Sequence, residues 1–277
     1  MEKRIRPEIK HRGMEEDDIA HFEGRLDKLL NSFQERPENL ARFDRATEVA
    51  ITADALGEPD ELSIQYLQLA LSLGVAHFVS ALALPVTYEL EYLGQHYPYA
   101  IGRTNYSTDP TSWLSVFSLA LILRDHQALA ILCQVSTDAM RQAETETDEA
   151  AYSYVDFLKG LLDPDSDIGE LLFNALDATS GPDISAARDR YLTYNQVPLL
   201  SLYRCFLSDD EAEFKEKLQE ALELHKTYWA DDPMERAGWI SLELVALLSL
   251  VHDNKDWRLD IESDYIPAWL CSGQYVL

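Results

Sequence analysis

The sequence predicts an all-α protein, a compact multi-helix array of antiparallel helical hairpins, with at most a short β-hairpin or extended segment near residues 86–110. Apolar residues recur at spacings of three and four over most of the chain, which is the period of one helix face. Proline and glycine fall where those runs stop, and only one stretch departs from the helical pattern.

In residues 17–33, Ile19, Phe22, Leu26, Leu29, Leu30 and Phe33 line one face, and Pro37 ends the run. Residues 40–56 repeat the pattern with Leu40, Phe43, Ala46, Val49 and Ala50, stopped by Gly57-Glu58-Pro59. Asp60 is placed to cap a long helix to about Leu84, carrying Ile64, Leu67, Leu71, Val75, Phe78 and Leu82, with Pro85 behind it. Residues 86–112 differ: Tyr88, Tyr92, Tyr97, Tyr99 and Tyr106 stand among Gly94, Pro98, Gly102 and Pro110, the composition of a long connection with room for a short hairpin.

Thr111 or Ser112 then caps a helix over 113–124 that is apolar nearly all round and therefore central. Asp125-His126 turns the chain into 127–133. Ser136 or Thr137 opens a short helix, and Thr147 caps another that ends at Asp163-Pro164-Asp165. Helices follow over 167–178, closed by Gly181-Pro182, then 185–194, 197–207 and 211–228, the last capped by Asp209. Residues 237–252 form a second nearly all-apolar helix, and 259–267 are irregular. Segments 119–126 and 245–253 echo each other, each running from an apolar helix into a charged turn. No linker rich in Gly, Ser or Pro interrupts the chain. The expected organisation is a flexible 1–15 followed by a single all-helical domain over 16–277.

Charge narrows the partners. Lys and Arg total 23 against 49 Asp and Glu, a net charge of −26. Such an excess repels nucleic acid and anionic membrane and favours a basic partner, although solubility alone also selects acidic surfaces. The three cysteines, Cys133, Cys205 and Cys271, are odd in number and form no CxxC pair, which fits a reducing compartment. The basic residues of the N-terminus have no apolar stretch behind them, and the longest apolar run, 114–123, is short for a bilayer. A cytoplasmic location is expected.

Signals for catalysis are weak. His11, His21, His77, His96, His126, His225 and His252 include no i,i+3 or i,i+4 pair and no HExxH, so no metal is expected. His126 and His252 fit histidines at helix C-termini. GxSxG, GxGxxG and GxxxxGK[ST] are absent, and Cys271 has no histidine near it in sequence. Asp163-Pro164-Asp165-Ser166-Asp167 resembles a calcium loop, but Ile168 replaces the glycine and Asn174 the final glutamate, so it is expected to be an inter-helix turn. The sequence therefore points to no catalytic residue, no cofactor and no small-molecule substrate.

The most distinctive blocks are Ala221-Leu222-Glu223-Leu224-His225-Lys226-Thr227-Tyr228-Trp229, then Gly238-Trp239-Ile240-Ser241-Leu242, then Ile261-Glu262-Ser263-Asp264-Tyr265-Ile266-Pro267. Upstream stand Ser112-Trp113-Leu114, Arg124-Asp125 and the Cys133 region. In order and spacing these blocks resemble the Immunity protein 49 family of bacterial polymorphic toxin systems, over roughly residues 60–270 and most strongly from 215 onward. The resemblance implies an all-helical, non-enzymatic protein of interbacterial competition, encoded beside a toxin that it binds and neutralises. It does not identify the toxin.

Tyr228, Trp229 and Trp239 flank a turn carrying Asp231, Asp232 and Glu235, and aromatics beside acids suit a hot spot for a basic partner. The two tryptophans would equally serve to pack the hairpin between two helices. Glu262, Asp264 and Tyr265 lie in the irregular segment, where carboxylates either cap neighbouring helices or meet a partner. The charge extends the expectation to a basic nuclease or nucleic-acid deaminase, blocked sterically and electrostatically. A rival expectation is a helical-repeat adaptor for a cytosolic complex, which would show an internal period and a concave face. An enzyme with a site assembled from distant residues would show a deep pocket with convergent polar groups.

Overall fold

The structure, a computed structural model, describes residues 12–143, 145–181 and 184–275. Of the stretch expected to be flexible, residues 1–11 lie outside these, as does Pro182. The described residues form two compact units: those up to 145 together with those from 273 on, and residues 146–272.

The N-terminal unit contains α1 (Arg12–Leu30), a 3-10 turn (Pro37–Arg42), α2 (Phe43–Leu56), α3 (Asp60–Ala81), the hairpin β1 (Glu91–Tyr92) and β2 (Gln95–His96), α4 (Pro110–Ile122), α5 (His126–Leu132) and α6 (Thr137–Met140). The first helix thus starts ahead of the expected Asp17. Helix α3 is the hub, with α2, the 3-10 turn, α4 and α5 packed on it. It is long and apolar enough to cross a membrane by composition, yet 78% of that window is buried inside the protein. Gly74 lets α4 close on α3, since a Cβ there would collide with the Val116 side chain. Phe33, Phe43, Phe78, Trp113 and Phe117 are fully buried, and Trp113 Nε1 donates to the Leu132 carbonyl at 3.1 Å. The tyrosine-rich connection holds the hairpin anticipated there, with Glu91 opposite His96 and Tyr92 opposite Gln95.

The C-terminal unit contains α7 (Glu149–Gly160), α8 (Ile168–Asp177), α9 (Ala186–Tyr191), a π turn (Leu192–Gln196), α10 (Val197–Leu207), α11 (Glu211–Trp229), a 3-10 turn (Arg236–Gly238), α12 (Leu242–Asn254) and α13 (Ala268–Ser272). Helix α7 packs on α8 and α10 on α11, while α10 also meets α8 and α12. Tyr154, Phe157, Tyr203 and Phe214 are its largest fully buried side chains. The chain stays helical from Ala186 to Leu207, where two separate helices were expected. Pro198 explains the π turn: it has no N–H to bond back to Tyr194, and its ring would strike that carbonyl in a regular helix.

Several helix ends differ from expectation. Helix α4 is capped by Asp109, whose Oδ1 accepts the Ser112 N–H at 2.8 Å, with Pro110 in the first turn. Asp148, not Thr147, caps α7, and Asp210, not Asp209, caps α11. Pro59 precedes α3 without a side-chain cap, so Asp60 is already helical. His126 stands in the first turn of α5 instead of at a helix C-terminus, whereas His252 is in the last turn of α12. Helix α12 runs into an extended Lys255, so the segment that matches 123–125 is 208–210. In both of these turns a left-handed residue, Arg124 (φ 55) or Asp209 (φ 59), closes one helix and an aspartate opens the next.

The loop at Asp163 is the inter-helix turn expected, with Asp163 Oδ1 accepting the Asp165 N–H at 3.1 Å and Asp167 capping α8. Among the described residues helix lengths run from 4 residues in α6 to 22 in α3, with no regular length.

Candidate partner interface

The site is built in the C-terminal unit from the α9–π-turn segment and the end of α11. Its foundation is a polar clamp. Arg188 Nε donates to Asp148 Oδ2 at 2.6 Å, and Arg188 Nη2 donates to Gln196 Oε1 at 3.2 Å. Gln196, 1% exposed, passes the connection on by donating to the Ala150 carbonyl at 3.2 Å. The π turn is thereby tied to the start of α7. Beside this clamp, burial pushes Glu243 up to about 7 against the opposing influence of Arg188. The same carboxylate and burial raise the phenols of Tyr154, Tyr191 and Tyr203. A proton held on Glu243 relieves the charge that burial disfavours.

Two residues further along α9, Arg190 reaches the surface. Its guanidinium lies 5.2 Å from the Tyr228 ring centre and 5.9 Å from that of Tyr194. Nη2 donates to Asp231 Oδ2 at 2.9 Å and to the Tyr228 carbonyl at 3.4 Å. Tyr228 in turn meets Tyr191 edge-on at 5.8 Å and Trp229 at 4.8 Å. Arg190 and Tyr194 are four apart, so helical geometry puts both on one face. The Arg190 side chain is 44% exposed and that of Asp231 79%. The result is an arginine held between two tyrosines at the surface, with little rotamer freedom left to lose on binding. Tyrosine and arginine are the residue types that dominate protein interfaces.

Of the residues singled out from sequence, Tyr228 and Asp231 join this cluster. Asp232 is exposed beside it, and Glu235 accepts the Ala237 N–H at 3.3 Å. Trp239 lies deeper, 2% exposed, with Nε1 donating to the Pro233 carbonyl at 2.9 Å and the Arg236 guanidinium over its ring. Gly238 presses on the Trp229 ring, where a Cβ would come within 2.7 Å. Tyr265 is 7% exposed and meets His225 edge-on at 5.1 Å, while its carbonyl accepts the Ser241 N–H at 2.9 Å. Burial pushes His225 down to about 4, so it is neutral there. Asp264 is partly buried next to Tyr265, and Glu262 is exposed. Sequence reasoning missed Arg190, Tyr191 and Tyr194. Their signal was present in Arg188-Asp189-Arg190-Tyr191, a basic and aromatic spot in an acidic chain.

The N-terminal unit has an open pocket of about 320 Å³ between Pro37, His77, Ser80, Ile101 and Arg103. His77 on its floor is pushed down to about 4 by burial, with Nε2 in contact with the Ser107 carbonyl at 3.1 Å. Ser80 bonds the adjacent backbone at Ala100 and Gly102. Among the described residues no group of three His, Cys, Asp or Glu is placed to hold a metal.

The described residues are mainly helical, with one short hairpin, and carry an arginine–tyrosine cluster at the surface of the C-terminal unit. The family model described as Immunity protein 49 matches residues 53–270, most of the chain. The chain belongs to the Immunity protein 49 family. A search of the curated proteins found no match, and a search of the solved structures found none.

Proposed function

We propose that this protein is the immunity partner of a bacterial toxin domain encoded by an adjacent gene, and that it neutralises the toxin by covering it through the Arg190–Tyr194–Tyr228 face. Family membership supports the immunity role. The observation that carries the choice of face is the surface arginine fixed between two tyrosines and Asp231. The aromatic rings supply contact area and exclude water, while exposed Asp232 attracts opposite charge.

The net charge of −26 favours a basic toxin, such as a nuclease or a nucleic-acid deaminase with a groove made for phosphates. Acidic side chains would occupy such a groove in place of the substrate. The protein acts in this scheme by binding alone, in the cytoplasm of the cell it protects. The irregular helix lengths offer no support for a repeat adaptor with a periodic concave face.

The test is co-purification of the full chain with the product of the neighbouring gene over a range of ionic strength. A stable complex that weakens steeply with added salt is the expected result. A complex indifferent to salt would remove the electrostatic part, and no complex with any neighbouring product would overturn the proposal.

A further inference from the structure

The hairpin of the N-terminal unit ends in a residue that folding alone disfavours. Pairing of Tyr92 with Gln95 leaves Leu93-Gly94 as a two-residue turn. Both have positive φ, 49 for Leu93 and 74 for Gly94, as a mirror-image hairpin turn requires. Asparagine, aspartate or glycine suits the first of these positions, and a leucine there clashes with its own backbone. The leucine side chain itself adds little to offset this, since it is 68% exposed.

Its base, by contrast, is fixed. Leu90 and Tyr92 are 1% and 8% exposed. The Tyr97 N–H donates to the Leu90 carbonyl at 2.9 Å, and Tyr99 Oη donates to the Tyr88 carbonyl at 2.8 Å. An apolar side chain is thus held out to solvent on a rigid stalk. Around it Glu89 and Glu91 are exposed, with His96 Nδ1 3.5 Å from Glu89. Further along the same connection Ile101 and Tyr106 are 75% and 69% exposed. The fixed base holds the left-handed turn in place, and what sets Leu93 apart is a large apolar side chain exposed at its tip between glutamates.

We propose that Leu93 is a recognition tip that inserts into an apolar pocket rimmed by basic side chains on the toxin domain. This rests on the immunity reading above. Glu89 and Glu91 match the basic rim, and Leu93 fills the pocket between. In the complex the leucine side chain, exposed in the free chain, is buried.

The experiment pairs stability with affinity in the full chain. Leu93→Gly and Leu93→Asn both accept the left-handed backbone and remove the apolar tip. Each is expected to melt at or above the wild-type temperature while binding the toxin domain, purified from its wild-type complex, at least tenfold more weakly. Wild-type affinity in both variants overturns the tip and leaves the immunity reading standing. Failure of the wild-type chain to bind any toxin overturns both. Self-association of the wild type that Leu93→Gly abolishes would assign the tip to a second copy of this chain, and would equally overturn the proposal.

Discussion

Arg188 Nε donates to Asp148 Oδ2 at 2.6 Å, while Oδ1 of the same carboxylate caps α7 by accepting the Ala151 N–H at 3.0 Å. One aspartate therefore both starts α7 and anchors the arginine of α9. Both side chains are mostly buried, at 25% and 20% exposure. Arg188→Ala should destabilise the protein by roughly 2–3 kcal/mol, because it strips a charge partner from Asp148 and a donor from Gln196. Chemical denaturation measures this, and a loss below about 0.5 kcal/mol would show that the clamp contributes little.

Glu243 titrates against the fold. Its pKa rises from 4.5 to about 7 on burial, so between those values the folded state holds a proton that the unfolded state has lost. Its contribution to stability therefore falls as pH rises through that window. Glu243→Gln keeps the neutral form and should stabilise the protein by ~1–3 kcal/mol at pH 8, with the gain shrinking toward zero near pH 4. His225 works in the opposite sense: lowered from 6.5 to about 4, it removes stability as pH falls through that range. Melting curves of wild type and Glu243→Gln across pH 4–8 separate the two, and a pH-independent difference would contradict the assignment.

Ala83 ends α3 in a left-handed conformation, φ 46, with the Leu84 N–H bonding back to the Val79 carbonyl at 3.1 Å. Glycine fills the equivalent place after α2, at Gly57. Ala83 is exposed and its methyl gains nothing there. Ala83→Gly should stabilise by about 0.5–1 kcal/mol, and Gly57→Ala should destabilise by a similar amount. Equal signs in the two denaturation experiments would show that backbone strain is not what distinguishes them.

Arg190→Ala and Tyr228→Ala separate binding from folding. The Arg190–Asp231 pair is at the surface, so its loss should cost stability less than about 1 kcal/mol. Removal of either side chain should weaken toxin binding by about 2 kcal/mol or more, near thirtyfold. Calorimetric titration reads the affinity and melting reads the fold. Unchanged affinity in both variants would exclude this face.

Periodicity made most of the fold legible. The apolar stripes of α2, α3, α4 and α12 and the breakers Gly57, Pro85 and Pro37 locate helices that the structure contains. Boundaries were harder, because Asp109 and Thr111, Thr147 and Asp148, and Asp209 and Asp210 compete as caps within a residue or two. Choosing between them depends on which one has extended backbone, and that is set by the preceding helix end. The π turn is a response to Pro198 inside a run already satisfied on both sides, so local sequence read it as a break. At the candidate site the acids and Tyr228 were visible, but Arg190 and Tyr194 come from a segment far away in sequence, and only tertiary packing brings them to α11. Trp239 and Tyr265 share the aromatic character of the surface cluster, and composition alone does not separate a buried ring from an exposed one.

The most direct test of neutralisation is growth. Cells expressing the neighbouring toxin domain would carry wild type, Arg190→Ala, Tyr228→Ala or an empty vector, with equal protein levels confirmed. Wild type should restore growth and the two variants should restore it poorly or not at all. Growth no better with wild type than with the empty vector would contradict the central claim.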